Sequence, residues 1–168
     1  SASCNADFAI EHVYGHHVTV CTNDDPATAR RGENVYAFSI RSTVMGHISA
    51  WKHELKNLRK KGNNIFSPKN KMITGYLMSL FWCVLFFLAG GNFGLMLFFG
   101  QAVLAKFNLE VVNYMEHYGL VRNSNHKVGP EHSWNTNKRM STMVLFSLTR
   151  HSAHHEKPRR KYWKLDPY

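Results

Sequence analysis

The sequence predicts an all-helical integral membrane protein, and three observations carry that reading. No charged residue occurs in the 34 positions from Met72 to Ala105. Lys and Arg crowd both flanks of that block. Seven of the 11 histidines fall into three short clusters in polar sequence on either side of it.

A membrane-spanning helix takes about 20 apolar residues. The apolar block is therefore long enough for two short spans, provided the chain turns between them. Gly90-Gly91-Asn92 has the chemistry of such a turn. The expectation is a transmembrane helical hairpin over 72–112, with limbs at 72–89 and 93–112. Lys56, Arg59, Lys60, Lys61, Lys69 and Lys71 precede the block, and Lys106 and Arg122 follow it. Short Lys- and Arg-rich flanks stay cytoplasmic, so both ends of the hairpin are placed on the cytoplasmic side, with the limbs facing lipid. A net charge of +10 also raises nucleic acid as a partner. The position of the charges, and the lack of any zinc-finger or RNA-binding signature, argue for no nucleic acid.

Around the hairpin, residues 7–20 are helix-compatible and 21–34 read as a loop. Residues 35–60 have apolar positions at helical spacing (Val35, Phe38, Val44, Ile48, Trp51, Leu55, Leu58), an amphipathic helix suited to the membrane surface. Residues 61–70 read as a turn. The second limb should run on into the polar stretch Glu110 to Gly119. Residues 121–131 read as a loop, 134–155 as a last helix, and the tail from Lys157 is basic and aromatic. Cys4, Cys21 and Cys83 fit neither a disulfide framework nor a cysteine metal site. No secretory signal pattern opens the chain. It starts on Ser1-Ala2-Ser3 without Met, so residues 1–168 are expected to be one partial domain from the C-terminal part of a longer protein.

The clusters are Glu11-His12-Val13-Tyr14-Gly15-His16-His17, then Asn113-Tyr114-Met115-Glu116-His117, then Arg150-His151-Ser152-Ala153-His154-His155. On an α-helix, His12 and His16 lie at i and i+4, one above the other. His151 relates to His154 and His155 in the same way. Such pairs can grip one ion from two directions. Solitary His47, His53 and His126 read as ordinary surface residues. Seven imidazoles exceed what one catalytic zinc site uses, so two metals sharing the set is the economical account. Imidazole suits zinc, copper, iron and nickel, and the residues alone leave the metal open. Acids are few near the clusters (Glu11, Glu110, Glu116, Glu131), so their expected task is to orient imidazoles from behind.

The strings EHVYGHH, NYMEHYGL, HSWNTN and RHSAHH, in this order, resemble the membrane-bound alkane monooxygenases of the AlkB type over nearly the whole chain. Xylene monooxygenase hydroxylase components are close relatives of that family, and fatty-acid desaturases distant ones. The resemblance implies a desaturase-like helical bundle, of which this chain holds the last two transmembrane helices and the cytoplasmic His-rich helices. It implies a di-iron centre, hence two iron ions, ligated by His12, His16, His17, His117, His151, His154 and His155. Glu11, Asn113, Glu116 and His132 are expected to support those rings. It implies insertion of one atom of O2 into an unactivated C–H bond of a hydrocarbon, above all terminal hydroxylation of alkanes to 1-alkanols. Rubredoxin and an NADH-dependent rubredoxin reductase would supply electrons. Phe81, Phe86, Phe87, Phe98 and Phe99 are candidates for an apolar substrate lining.

Two departures stand out. The family's HExxH box is not found upstream of residue 11, and Lys52-His53-Glu54-Leu55 has the wrong place and no second His. Ala153 stands where many alkane hydroxylases carry Asp, which bears on the substrate. Rival readings are an alkyl-aromatic methyl hydroxylase, a fatty-acid desaturase or hydroxylase, and a non-enzymatic membrane metal-binding protein. Histidines outside the apolar block argue against a metal conduit.

Overall fold

The computed structural model describes residues 2–168, and Ser1 lies outside the described residues. Helices and irregular segments build the molecule, and no strand occurs among the described residues. The first histidine segment is a continuous helical run in three registers: α1 (Phe8–Glu11), a π-helical turn (His12–His16) and α2 (His17–Thr19).

Helix α3 (Val35–Lys60) starts where the Asn34 side chain accepts bonds from Tyr36 N and Ala37 N at 3.1 and 2.9 Å, a conventional N-cap. Its buried stripe is Phe38, Ser42, Gly46, Ala50, Glu54 and Leu58. Val44 and Ile48 of the expected apolar spacing lie exposed, off this stripe. Small residues at 42, 46 and 50 let the first histidine segment lie close: a Cβ on Gly46 would sit 3.8 Å from Glu11 Cγ.

Helix α4 (Lys71–His117) is capped by the fully buried Asn70, which accepts from Met72 N at 2.9 Å. Buried Glu54 accepts from Lys71 N at 2.7 Å and ties this start to α3. At Gly91 the backbone leaves helical geometry (φ 55°, ψ −139°), a left-handed turn that suits glycine. Phe86 and Phe98 then meet as a tilted pair with centroids 5.5 Å apart. On a straight helix 12 residues would separate them by about 18 Å. A Cβ on Gly94 would fall 1.9 Å from Phe86 O. The chain therefore doubles back at Gly91. The second limb runs unbroken to His117, carrying Glu110, Asn113, Glu116 and His117 to the buried polar end. Its apolar stretches are largely uncovered, with Leu77, Leu88, Phe93 and Val103 more than half exposed.

Arg122 is not a surface charge of the flank. It is buried, donating from Nε to Val20 O (2.8 Å), from Nη2 to Val18 O (2.7 Å) and from its backbone N to Cys21 O (2.6 Å). It clamps the end of the first histidine segment to the strap that leaves α4.

The expected helix over 134–155 is instead a broken path. After a 3-10 turn at Pro130–His132, the chain is extended, then forms α5 (Arg139–Val144) and α6 (His151–Glu156). Tertiary partners win over helical ones here: Trp134 N donates to Glu116 O at 2.8 Å, and Thr136 N to Thr149 O at 3.0 Å. Phe146 and Ser147 both take positive φ (49° and 63°), which ends α5 and redirects the chain into α6.

Candidate metal centre

Three segments distant in sequence meet at the polar end of α4. One group of ring nitrogens comes from His16, His117, His151 and His155, all within 4.8 Å of one another and buried. Nε2 separations are 3.2 Å for His117–His151, 3.0 Å for His151–His155 and 3.3 Å for His16–His155. The second group is His12, His17 and His154, partly buried. There Nε2 of His12 lies 3.2 Å from that of His154 and 3.1 Å from that of His17.

This partition corrects the expected pairing. A π-turn bonds i to i+5 rather than i+4, so His12 shares a side with His17 and His16 is rotated into the other group. On α6, His151 and His155 at i, i+4 stay together while His154 points to the three-histidine group.

The donor set fits metal ions. His16 Nδ1 bonds Asp25 Oδ2 at 2.9 Å, and His117 Nδ1 bonds the His132 carbonyl at 3.2 Å. Those contacts place the protons on Nδ1 and leave lone pairs on both Nε2 atoms. His151 and His155 would have to donate to them from Nε2, which turns N–H against N–H across their own 3.0 Å contact. A cation at the convergence removes that conflict. Burial, with neighbouring imidazoles second, pushes His117 down to about 3 and His12 to about 2, so these rings stay neutral and keep their lone pairs.

Asp25 is the residue that sequence reasoning missed. Burial opposes its ionisation, but His16 and the hydrogen bonds from His16 and Thr28 outweigh burial and hold it below the usual carboxylate range. For His16, burial pulls down and Asp25 pulls up harder, so the ring's affinity for positive charge is raised, and a metal ion at Nε2 would take the place of a second proton. Asp25 also accepts from Ala27 N at 3.1 Å, and Thr28 Oγ1 donates to it. The only trace in the sequence is Asp25-Pro26 in a segment that otherwise reads as a loop.

The four supporting residues behave differently from one another. His132 supports His117 through its carbonyl oxygen. Its ring faces the other way, accepting from Gly129 N at 2.9 Å. The Cys21 thiol donates to the same carbonyl at 3.0 Å, and burial raises that thiol to about 12. Glu11 lies buried under Gly15, whose added Cβ would stand 2.5 Å from Glu11 Oε1, and this oxygen bonds no ring. Burial, then Asp25, raises Glu11 to about 7. Asn113 touches Glu110 at 3.5 Å and no imidazole. Glu116 sits on the Nε2 side of His151, at 3.3 Å, instead of behind the ring.

The solitary histidines lie elsewhere. His47 bonds Tyr76 OH at 2.8 Å, and His126 lies on the exposed strap after α4. In KHEL, Glu54 caps α4 and is no part of a metal box.

The family description "fatty acid desaturase" matches residues 3–168. The chain belongs to the fatty acid desaturase family. Among curated relatives of this desaturase-family chain, alkane 1-monooxygenase 1 of Pseudomonas aeruginosa is 42% identical over 173 residues, covering 100% of the chain and 45% of the relative. Alkane 1-monooxygenase 2 of Alcanivorax borkumensis is 41% identical over 168 residues, covering 97% of the chain and 44% of the relative. The xylene/toluene monooxygenase hydroxylase component of Pseudomonas putida is 33% identical over 163 residues, covering 94% and 43%. The chain spans less than half the length of these relatives.

Proposed function

We propose that the protein to which this chain belongs is a membrane-bound di-iron monooxygenase. It hydroxylates hydrocarbons, above all alkanes at the terminal carbon. The observation that carries the reading is the convergence of seven imidazole nitrogens into groups of four and three. In this reading the seven histidines hold two iron ions, whose bound pair supplies the activation of O2 for attack on an unactivated C–H bond. The relatives named alkane 1-monooxygenase support the substrate class. An alkyl-aromatic methyl group is the second reading, supported by the xylene/toluene relative at 33% identity.

The chain's own residues have three tasks. Asp25 and the His132 carbonyl hold two rings in a fixed tautomer. The hairpin 72–112 crosses the bilayer with both ends on the cytoplasmic side, as the Lys and Arg flanks suggest. Limbs over 72–89 and 93–112 would be about 27 and about 30 Å long, close to the roughly 30 Å hydrocarbon thickness. Between α3 and the second limb lies an apolar groove of about 740 Å³, where Ile40, Val44, Ile48, Phe99 and Val103 offer a dry surface to a hydrocarbon. Of the phenylalanines proposed from sequence, only Phe99 lines it. Phe86 and Phe98 are spent on closing the hairpin. The residues carry no flavin or iron–sulfur motif, so electrons come from outside, in this reading from rubredoxin.

The test uses the membrane-embedded enzyme. Purified protein should contain two iron ions and form 1-alkanol from alkane only with O2, rubredoxin, its reductase and NADH. Iron-loaded protein with no oxygen-dependent product from any alkane or alkylbenzene would sink the monooxygenase reading and favour metal binding alone.

A further inference from the structure

The turn between α3 and α4 carries an apolar tip that projects from the fold. Phe66 is 86% exposed and Ile65 43%. The backbone beneath them is held in place. Asn64 Oδ1 accepts from Phe66 N at 3.0 Å, and Ser67 N donates to Asn64 O at 3.1 Å. Buried Asn70 donates from Nδ2 to Ile65 O at 2.9 Å, while its Oδ1 caps α4 at Met72 N. One side chain thus fastens the tip to the first turn of the hairpin's first limb. An ordered turn that keeps a large aromatic ring in water forgoes the gain from burying it.

Around the tip the charge has one sign. Lys52, Lys56, Arg59 and Lys60 recur at i, i+4, i+7 and i+8 on α3, which makes one stripe. They are exposed, and the stripe faces away from buried Ala50, Glu54 and Leu58. Lys61, Lys69 and Lys71 add three more exposed cations beside the tip. The one acid between residues 52 and 71 is Glu54, which is buried and bonds Lys71 N. None of these seven cations forms an ion pair among the described residues, and Lys71 lies over the Tyr14 ring at 5.8 Å.

Positive flanks can orient a span during insertion. That role asks for charge and has no use for an ordered apolar tip. An acidic polypeptide would meet the cations and leave the tip without a matching surface. An anionic bilayer surface meets both, because headgroup phosphates attract the cations and the boundary below them takes apolar side chains. The place agrees. Tyr76, about one turn into the first limb, accepts from Trp51 Nε1 at 2.9 Å, and rings of this amphipathic kind gather at the membrane–water boundary.

We propose that the turn 61–70 and the basic stripe of α3 form an interfacial anchor for anionic phospholipid. Ile65 and Phe66 enter the boundary between headgroups and acyl chains, and the seven cations hold lipid phosphates around them. The proposal rests on the reading above that the hairpin 72–112 crosses the bilayer.

Fluorine NMR on the full-length protein tests it. A trifluoromethyl-phenylalanine label replaces Phe66, or in a second sample Leu80, which is exposed midway along the first limb. Each sample is placed in bilayers of phosphatidylcholine alone, or of phosphatidylcholine and phosphatidylglycerol in equal parts. Dissolved O2 concentrates in lipid and a nickel chelate stays in water, so the relaxation each causes reads where the label lies. The Leu80 label should respond to O2 alone. A response to the chelate there would overturn the membrane-crossing reading, and the anchor with it. The Phe66 label should respond several-fold more to O2 than to the chelate, and phosphatidylglycerol should raise that ratio. Lys60→Gln with Lys61→Gln and Lys69→Gln should bring the ratio back toward its value in phosphatidylcholine, with the Leu80 label unchanged. Three results overturn the proposal. A Phe66 label that follows the chelate faces water, and the charges then serve insertion alone. One silent to both agents is covered by polypeptide. One equally placed in the two bilayers does not sense lipid charge.

Discussion

The two histidine groups share a helix-borne origin yet differ in how they are held. His16, His117, His151 and His155 are each no more than 4% exposed, and two of their rings are fixed from behind by Asp25 and by the His132 carbonyl. His12, His17 and His154 are partly exposed, and among the described residues their ring nitrogens bond only one another. The first group is preorganised by three distant segments. The second has three donors and an open side. Preorganisation spends the cost of orienting ligands during folding, so the four-histidine group should hold its ion more tightly.

The largest effect should come from breaking either group. His117→Ala or His151→Ala should remove the tightly held ion, and His154→Ala the weaker one, each abolishing product formation. Metal content by mass spectrometry checks this. His47→Ala and His126→Ala should leave both ions in place. Chelator should strip the three-histidine group first; simultaneous loss of both ions would erase the proposed difference.

Next in size is the support of the buried group. Asp25→Asn keeps the shape but removes the charge that favours a proton on His16 Nδ1. The expected loss is about 10–100-fold in affinity at one site, read from competition with a chelator, with the other site unchanged. Thr28→Ala should follow in the same direction and less strongly, because it removes one of several bonds to Asp25.

Arg122 ties the segment that carries His12, His16 and His17 to the strap that leaves α4. Arg122→Met keeps the apolar stem but strands the buried carbonyl of Val20, at a cost of about 1–3 kcal/mol, and gives up the bond to the more exposed Val18 carbonyl. Thermal unfolding should fall, and both sites should weaken together. A loss confined to one group would show that the clamp serves only the segment nearest to it.

These residues mark where sequence reading succeeds and where it stops. The hairpin was legible because an uncharged run with Gly90-Gly91-Asn92 in the middle has few other physical solutions. The clusters were legible because seven imidazoles in three knots have little structural use. The pairing was not, since i, i+4 spacing assumes an α-helix, while five residues from His12 to His16 adopt π geometry. Nor was the path from 134 to 150, where HSWNTN spends its backbone bonds on α4 and on Thr149 instead of on a helix. Asp25 and Arg122 escaped for a related reason: their worth lies in partners at the far end of a tertiary contact. A loop and a charged flank looked sufficient for them.

The smallest expected effect concerns electron delivery, where the four-histidine group is shielded and the three-histidine group lies nearer solvent. Lys157, Arg159, Arg160 and Lys161 follow α6 and are exposed. Asp166 neutralises part of this surface, pairing with Lys157 at 3.7 Å and also with Arg160. Arg159 pairs with no acid among the described residues, and Lys161 lies over Trp163 at 5.1 Å. The field offered to an acidic donor should therefore rest mostly on these two. Long-range attraction raises association rates and fades with salt, whereas a purely topological role for the same charges acts only during insertion. In the rubredoxin reading proposed above, Arg159→Glu with Lys161→Glu should raise the apparent KM for the reduced donor several-fold at low ionic strength. The change should shrink near about 0.15 M salt, where screening acts within roughly 8 Å. Reversing Arg160 should do less, because Asp166 already cancels it. Chemical reduction of the irons should be indifferent to all three substitutions. If rubredoxin kinetics at low salt stay unchanged in folded, iron-loaded protein, the basic tail serves membrane orientation, and the donor docks elsewhere.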